Sequence, residues 1–309
     1  MTSQANDAQP IALIGFGEAA QAFVLGWGAD AAARCRAFDI KTDHEDEAVR
    51  AAKLADYDRC GVTPCATAAD ALAGAALVFS LVTADQAAAA AASAARAIEA
   101  GALFFDCNSC SPGAKRANAE IIDAAGGRYV DAAVMAPVYP KMHKTPLALS
   151  GPYADAGKAA ADALDMVATV TPGPVGASST IKMVRSIMMK GMEALFLECV
   201  LAGRRAGVDD VVLSSLDATY PGFDFKAKAG YMMERVMTHG VRRAAELREV
   251  ARTVDELGFE GRMSRATADW EQQIGALKEK AETEDYRILA DQLLARLFKG
   301  EEASDDAKS

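Results

Sequence analysis

Short apolar runs alternate with helical stretches through the first half of the sequence. The strand-length runs are residues 11–15, 35–39, 75–82, 102–106 and 128–131. Helical patterns separate them, as at 84–100 and 111–125, and strands that alternate with helices form a mostly parallel sheet through right-handed crossovers. We therefore predict a doubly wound α/β domain. A strand at 147–150, a helix at 153–164 and a strand at 167–171 extend it.

The pattern changes at the Pro- and Gly-rich segment 171–176. Beyond it the apolar residues recur with helical periodicity, and the sequence shows no convincing strand pattern. The helical segments are 178–206, 209–219, 226–257, 261–281 and 285–298. We predict an all-helical second domain. With the boundary at Gly173, the domains are 1–172 and 173–309.

Composition excludes several classes of partner. The net charge of −10 argues against a nucleic-acid or anionic-membrane surface, because such a surface needs clustered positive charge. No apolar run approaches the roughly 18 residues that a membrane helix needs. The polar segment 1–10 lacks the apolar core of a signal peptide. Six cysteines in 309 residues are no disulfide framework, so we expect reduced thiols in a cytoplasmic protein.

The first strand ends in a glycine-rich turn of the pattern G-x-G-x-x-A, residues 15–20. Gly15 permits the tight turn, and Gly17 lets a pyrophosphate approach the backbone. The helix that follows directs its N-terminus at the phosphate charge. The predicted dinucleotide-binding residues here are Gly15, Phe16, Gly17, Glu18 and Ala19.

Asp39 stands at the end of the second strand, where a carboxylate is placed to bind the ribose 2′-hydroxyl of NAD. The same charge repels the 2′-phosphate of NADP, although Lys41 is near enough in sequence to reach one. The sequence therefore favours NAD over NADP as the cofactor.

The chain resembles the β-hydroxyacid dehydrogenase family, which includes 3-hydroxyisobutyrate and 6-phosphogluconate dehydrogenases. The glycine turn is the first matching stretch. The others are 105–112, similar to the D-x-S-T-x-x-P loop; 131–137, at the D-A-P-V-S-G-G loop; and 173–186, similar to G-x-x-G-x-G-x-x-x-K-x-x-x-N. The resemblance implies a Rossmann-type NAD-binding domain. The helical half, with its segment 235–243, looks like an uncharacterised branch of the family.

The resemblance implies that Lys182 is the catalytic general acid/base. The residues agree, because Lys182 lies near the start of a long, otherwise apolar helix, where an apolar cleft would lower the pKa of its amine towards the working pH. The nicotinamide and its neighbourhood would be contacted by Val82, Thr83 and Asn108.

Three sites depart from the family pattern. Ser186 replaces the Asn four residues after the lysine, and Met189 stands where 6-phosphogluconate dehydrogenase has a Glu that supports catalysis. Met135, Ala136 and Pro137 replace the Ser-Gly-Gly whose backbone amides bind a substrate carboxylate. Pro137 has no N–H to offer. A bulkier or less polar substrate than 6-phosphogluconate or 3-hydroxyisobutyrate fits better.

One helix face carries Arg235, His239, Arg242 and Glu246 at spacings of four, three and four residues. This face is suited to an anionic substrate, or it is a solvated face with intrahelical ion pairs. The predicted substrate-binding residues are Ser109, Met135, Ala136, Pro137, Ser186, Arg235, His239 and Arg242.

The function expected from these features is hydride transfer between NAD and a hydroxy acid or related alcohol. Alternatives are an imine reductase, a decarboxylating dehydrogenase, or a dinucleotide-binding regulator without turnover. Cys107 and Cys110 form a single C-x-x-C pair, which is weak support for zinc or redox chemistry, so we expect no metal. The apolar segment 183–201 suggests a homodimer, because it is apolar on more than one helix face. The substrate's identity stays open.

Overall fold

The structure, a computed structural model, describes residues 9–299, so most of the polar segment 1–10 lies outside the described residues. The chain divides into two compact units, Met1–Met183 and Val184–Ser309. The domain boundary at Gly173 stays a prediction, and the division into compact units falls later, after Met183.

The first unit contains an eight-stranded sheet in the order β3-β2-β1-β4-β5-β6-β7-β8. The strands are β1 (Ile11–Ile14), β2 (Cys35–Phe38), β3 (Thr63–Pro64), β4 (Leu77–Ser80), β5 (Leu103–Asp106), β6 (Arg128–Val134), β7 (Leu147–Ser150) and β8 (Ala168–Val170). All neighbours pair in parallel except β6 and β7, which are antiparallel. The predicted doubly wound sheet is confirmed. Its order reverses between β1 and β4, and ligands of such sheets bind at that point, beyond the carboxyl ends of the strands.

Helices connect the strands, and they are the only regular elements of the second unit within residues 9–299. The helices between the strands are α1 (Glu18–Trp27), α2 (Ala29–Ala32), α3 (Glu47–Cys60), α4 (Ala68–Leu72), α5 (Ala87–Ala95), α6 (Pro112–Ala124) and α7 (Ala154–Ala163). The helices that follow are α8 (Ala177–Ala206), α9 (Asp209–Thr219), α10 (Phe225–Glu256), α11 (Arg262–Ala276) and α12 (Tyr286–Leu297). The all-helical second half is confirmed for the residues that the structure describes.

Alternate residues of the buried strands serve two separate cores. Leu13 and Phe105 point to one face of the sheet and pack with Phe23 of α1. Ile14 and Phe104 point to the other face and join the helices there. Small side chains let α5 lie close to that face, where Ala90, Ala91 and Ala94 are buried. Both faces are covered, which is why these strands read as continuous apolar runs.

The helical unit has its own core, formed by Leu197 on α8, Met233 on α10, Ile274 on α11 and Leu289 on α12. A close crossing of α10 and α11 stabilises it. A Cβ atom on Gly240 would lie 2.3 Å from the Glu271 carbonyl oxygen, so only glycine allows the two backbones to meet there. None of the helices between residues 9 and 299 combines the length and apolar character needed to cross a bilayer.

The structure differs from the sequence prediction mainly in its shortest elements. The predicted helix 84–100 is a 3-10 turn at Ala84–Gln86 followed by α5, which ends at Ala95. Strand β3 contributes only two residues and shows no apolar periodicity. Helix α4 has five residues, but its Thr67–Asp70 capping box is a sequence signal that marks its start.

Candidate functional site

The glycine turn lies at the carboxyl end of β1, beside the point where the strand order reverses. Gly15 has φ +85°, and a Cβ atom there would lie 2.6 Å from the Leu81 carbonyl oxygen and 2.7 Å from Val82 Cγ1. Glycine is therefore required at position 15 by both backbone conformation and contact with the end of β4.

Gly17 is required by nothing in the protein itself. A Cβ atom on it would meet no heavy atom of the described chain within 4 Å, although Gly17 directly precedes the first turn of α1. Open space in front of a helix N-terminus is the environment in which a phosphate group binds. Ala20 behind it is fully buried, and Glu18 is exposed, away from the packed side of the turn. These residues fit a dinucleotide.

Phe16 is held from several sides. Its N–H donates to Asp39 Oδ2 (2.8 Å), and its carbonyl oxygen accepts from the buried Lys53 Nζ (2.6 Å). Its ring stacks on Tyr57 with the centroids 4.8 Å apart. Asp39 also accepts from the Lys41 N–H (2.9 Å), so this carboxylate organises the turn as well as ending β2. Lys53 was missed by sequence reasoning, since a lysine in a charged helix has no distinguishing pattern.

Asn108 ties the end of β5 to the end of β4. Its Oδ1 accepts from the Val82 N–H (2.7 Å), and its Nδ2 donates to Ser80 Oγ (2.9 Å). Asn108 is 3% exposed, whereas Thr83 is exposed. The structure thus gives the Asn108 side chain an internal role in shaping the edge where Val82 lies, and its direct contact with a cofactor stays a prediction.

Lys182 lies on the first turns of α8, and its Nζ donates to Ser109 Oγ at 2.6 Å. Both side chains are partly buried. The structure therefore brings together two residues that the sequence predicts from separate motifs 73 positions apart. Ser109 directly follows Asn108 in the chain, Asn108 binds the Val82 N–H, and Val82 lies beside Gly15.

A buried polar network lies behind Ser109. Asp106, fully buried at the end of β5, accepts from Lys115 Nζ (3.0 Å), Asn118 Nδ2 (3.0 Å) and Tyr129 Oη (2.7 Å). It also accepts from the Asn108 N–H (3.0 Å). Burial alone would raise the pKa of Asp106, but the charge of Lys115 and these hydrogen bonds outweigh it and lower that pKa.

Lys115 connects this network to a second carboxylate. Its Nζ lies 3.5 Å from Asp131 Oδ1, and its side chain is 0% exposed. Burial alone would lower the pKa of Lys115, but the charges of Asp106 and Asp131 raise it, so the ammonium stays charged. Sequence reasoning missed this residue. The available signal was a Lys115 and Asn118 pair on the face of α6 that also buries Ala119 and Ile122.

Asp131 holds the beginning of α8. Its Oδ2 accepts from the backbone N–H groups of Gly176 (3.1 Å) and Ser179 (3.1 Å), and its Oδ1 accepts from Ser179 Oγ (2.6 Å). Ser150 Oγ donates to the same carboxylate (2.9 Å). Sequence reasoning placed Asp131 in the substrate loop without a role. In the structure it anchors the helix that carries Lys182.

The segment predicted to bind substrate follows β6. Met135 and Ala136 are partly exposed and Pro137 is exposed. The Met135 N–H donates to the Pro146 carbonyl oxygen (2.9 Å), and Pro137 has no N–H. Two of the three positions therefore offer no backbone donor to a ligand.

The remaining predicted substrate residues lie in the second unit. Ser186 is buried, Arg235 and His239 are half-buried, and Arg242 is exposed. Arg242 Nη1 donates to Glu246 Oε1 (2.8 Å), and Lys190 Nζ donates to Glu246 Oε2 (2.6 Å). The α10 face that carries Arg235, His239 and Arg242 therefore contains an intrahelical ion pair of the kind found on solvent-exposed helix faces. Burial, and then the charges of Arg235 and Arg242, lower the pKa of His239.

Sequence reasoning also missed a buried charged cluster in this unit. Arg243 donates to Glu193 and, from Nε, to Glu271 Oε1 (3.4 Å), and all three are at least 93% buried. Burial raises the pKa of Glu271 to about 7 although the charge of Arg243 opposes it. No sequence pattern distinguished these residues from the other charges on α8, α10 and α11.

The cysteine pair has no metal-binding surroundings. Cys107 and Cys110 are both buried, and burial raises the pKa of Cys107 to about 12, so its thiol is unreactive. Over residues 9–299, no three His, Cys, Asp or Glu side chains are grouped so that they could hold a metal ion.

Comparison with solved structures shows the same fold in several proteins. A conserved hypothetical protein from Sinorhizobium meliloti is 34% identical, with 94% of this chain and 99% of that chain covered and a TM-score of 0.70. A conserved protein of unknown function, reported as structurally similar to 3-hydroxyacid dehydrogenases, is 25% identical over 87% of this chain and 98% of its own (TM-score 0.63). Mycobacterium tuberculosis 3-hydroxyisobutyrate dehydrogenase, solved with L-serine, is 16% identical over 92% and 99% (TM-score 0.66). Among curated proteins none matches the chain.

Two families match the sequence. Residues 204–274 match a domain of unknown function, DUF1932. Residues 10–189, more than half of the chain, match the NAD binding domain of 6-phosphogluconate dehydrogenase. That segment contains the glycine turn, Asp39, Ser109 and Lys182. The chain therefore belongs to the family of proteins built on the NAD-binding domain of 6-phosphogluconate dehydrogenase.

Proposed function

We propose that the protein is an NAD(P)-dependent oxidoreductase that acts on a hydroxy acid or related alcohol, with Lys182 as general acid/base. One observation carries the proposal. An unbroken series of contacts leads from Gly15 to Val82, from Val82 to Asn108, and from the adjacent Ser109 to Lys182. It joins the dinucleotide-binding turn to a lysine that can exchange a proton with substrate.

The chain's own residues would divide the work as follows. The open space at Gly17 and the N-terminus of α1 hold the pyrophosphate, and Val82 with Thr83 borders the nicotinamide. When bound, NAD(P) would accept a hydride from the alcohol or supply one to the carbonyl compound. Lys182, as the neutral amine, takes the hydroxyl proton, and as the ammonium it returns that proton to the carbonyl oxygen.

The residues proposed to contact substrate divide between the two compact units. Ser109, Met135, Ala136 and Pro137 belong to the same compact unit as Lys182, and Ser109 touches it. For Ser186, Arg235, His239 and Arg242, which belong to the second unit, substrate contact stays a prediction. The lack of backbone donors at Met135 and Pro137 supports a substrate other than a small carboxylate held by glycine amides.

Replacing Lys182 by Ala tests the mechanism. We expect turnover to fall by ~100-fold or more, which is the size of effect that loss of a general acid/base produces. NADH affinity should stay nearly unchanged, because the lysine contacts Ser109 and not the glycine turn. Turnover is measured on a panel of hydroxy acids and imines with NAD and NADP. The products formed from the hydroxy acids are also analysed for decarboxylation.

Lys158→Ala is the matched control, since Lys158 forms an exposed i,i+4 pair with Asp162 on α7 of the same unit. It should behave as the parent protein does. Full activity in Lys182→Ala would remove the lysine from the mechanism. NADH binding without oxidation or reduction of any panel compound would instead support a dinucleotide-binding regulator.

Asp39 leads us to propose NAD rather than NADP as the preferred cofactor. Its carboxylate already accepts hydrogen bonds from two backbone N–H groups, but a carboxylate has about four acceptor sites, which leaves capacity for a ribose hydroxyl. Fluorescence titration with NADH and NADPH should show tighter binding of NADH. Tighter binding of NADPH would contradict the proposal.

We also propose a homodimer formed through α8. Val184, Met188 and Leu195 are 44%, 65% and 57% exposed, and spacings of four and seven residues place them on one helix face. An apolar stripe of this kind is typical of a covered surface. Light scattering at micromolar concentration should give twice the monomer mass of 32.4 kDa, and a monomer would exclude the dimer at that concentration.

A further inference from the structure

The start of α8 is the most heavily hydrogen-bonded helix end described above. Asp131 accepts from the N–H of Gly176, which directly precedes the helix, and from the N–H and hydroxyl of Ser179. Ser150 Oγ accepts from the Ser178 N–H (3.0 Å). Asp131, Ser150 and Ser179 are each at most 2% exposed. Hydrogen bonds to an ionised carboxylate are stronger than those to a neutral acceptor, so Asp131 holds this helix end firmly in place.

Lys182 lies three residues beyond Ser179, one helical turn along α8. The position of its Nζ relative to Ser109 Oγ is therefore set largely by how the first turn is held. Ser109 is placed from the other side, because Asp106 accepts the N–H of the preceding Asn108. The two ends of the Lys182–Ser109 contact thus rest on two different buried carboxylates.

Lys115 connects these two carboxylates. Its Nζ contacts Asp106 Oδ1 at 3.0 Å and Asp131 Oδ1 at 3.5 Å, and it has no exposure to solvent. We propose that Asp131, with Lys115 and Ser179, is a positioning residue that fixes Lys182 against Ser109 before substrate binds. This proposal rests on the proposed function, since it concerns the same lysine.

The chain offers a matched pair of variants to test it. Ser178 and Ser179 are neighbours, both buried in the first turn of α8. Ser179 Oγ donates to Asp131, whereas Ser178 Oγ has no hydrogen-bond partner within residues 9–299. Ser179→Ala removes one bond of the proposed device, and Ser178→Ala removes a hydroxyl of the same size and burial that belongs to no part of it.

The first measurement does not depend on turnover. Trace acylation by an amine-reactive acetylating reagent at fixed pH, read by peptide mass spectrometry, reports how readily the Lys182 amine leaves its contact with Ser109. We expect Ser179→Ala to raise the acylation rate of Lys182 about fivefold, the change in population that loss of one net hydrogen bond produces. Ser178→Ala should leave the rate as it is. The exposed Lys158 is the internal reference in every sample.

The second measurement is turnover with a substrate from the hydroxy-acid panel. We expect kcat to fall about 10-fold in Ser179→Ala, with KM for NAD unchanged, because a misplacement of the order of 1 Å costs up to ~100-fold in rate. Asp131→Asn, which removes the charge but keeps the size, should move both readouts further. If Asp131→Asn does not fold, the serine pair alone decides.

Equal acylation rates of Lys182 in the two serine variants would overturn the positioning role, even if Ser179→Ala lowered the melting temperature. A faster acylation in Ser179→Ala alone supports it. If no panel compound reacts with the parent protein, the proposed function fails while the acylation result still decides whether Asp131 fixes Lys182. The two failures are therefore distinguishable.

Discussion

Two buried clusters of this protein contain the same charges, two carboxylates and one cation, yet they hold their protons differently. In the first unit, Asp106 and Asp131 share Lys115, and the pKa of Asp106 is lowered. In the second unit, Glu193 and Glu271 share Arg243, and the pKa values of both glutamates are raised. Burial is nearly complete in both, so burial does not explain the difference.

Hydrogen bonding explains it. Asp106 accepts from Tyr129, Asn118 and a backbone N–H besides Lys115, so its charge is stabilised from several directions. Glu271 has only a 3.4 Å contact with Arg243, and across the described residues its Oε2 has no hydrogen-bond donor. A buried carboxylate stays ionised when donors replace the lost water, and it takes up a proton when they do not.

The largest expected effect is that of removing the cation from the better satisfied cluster. Lys115→Met leaves two buried carboxylates without a counter-charge, which should lower the free energy of unfolding by about 3–5 kcal/mol. Urea unfolding at pH 7 measures it. Arg243→Met is the matched change in the second unit. The loss of stability in Arg243→Met should shrink when the pH is lowered from 8 to 5, because Glu271, with a pKa of about 7, takes up a proton in that range.

Asp106 keeps its hydrogen bonds from Tyr129, Asn118 and the Asn108 N–H in Lys115→Met, so the cost of that variant should shrink less over the same pH range. If the two costs shrank equally between pH 8 and pH 5, the two clusters would not differ in the way that their hydrogen bonds indicate.

A smaller effect is expected from Glu271→Gln. The folded-state pKa of Glu271 is about 7, above the ordinary 4.5, so between these values the folded protein holds a proton that the unfolded chain has released. The raised pKa of Glu271 therefore stabilises the folded state fully below pH 4.5, and this stabilisation is lost as the pH rises through 7. Glu271→Gln should remove that loss, of the order of 2–3 kcal/mol.

Unfolding by urea at pH 5, 6, 7 and 8 checks this. The parent protein should lose stability towards pH 8, and the variant should lose less. Glu246→Gln is a poor control because Lys190 and Arg242 both donate to Glu246. Gln273→Ala, an exposed change on the same helix, serves better. A pH dependence that Glu271→Gln leaves intact would assign the proton to another group.

The sequence predicted the sheet and the helical half, because periodicity records them, and its motifs pointed separately to Ser109 and Lys182 but not to the contact between them. It did not predict the two clusters. Each cluster joins charges that are distant in sequence. The separation along the chain is 28 to 50 residues in the second unit and 9 or more in the first. The residues concerned are Lys115, Asp131, Glu193, Arg243 and Glu271. Which charge becomes buried depends on how the helices pack, and a single sequence does not record that packing.

The smallest effect on stability should come from Arg242, an exposed residue of α10 in the second unit. It is 48% exposed at its side chain and forms an i,i+4 pair with Glu246, which Lys190 also neutralises. Such a pair contributes about 0.3–0.5 kcal/mol, so Arg242→Ala should hardly change unfolding by urea.

The same variant also tests whether the helix face that carries Arg242 binds substrate. If Arg242 holds an anionic group, KM for that substrate should rise about 10- to 100-fold while NADH affinity stays the same. Unchanged KM for every active compound would leave Arg242 as part of a solvated face, as its pairing with Glu246 already suggests.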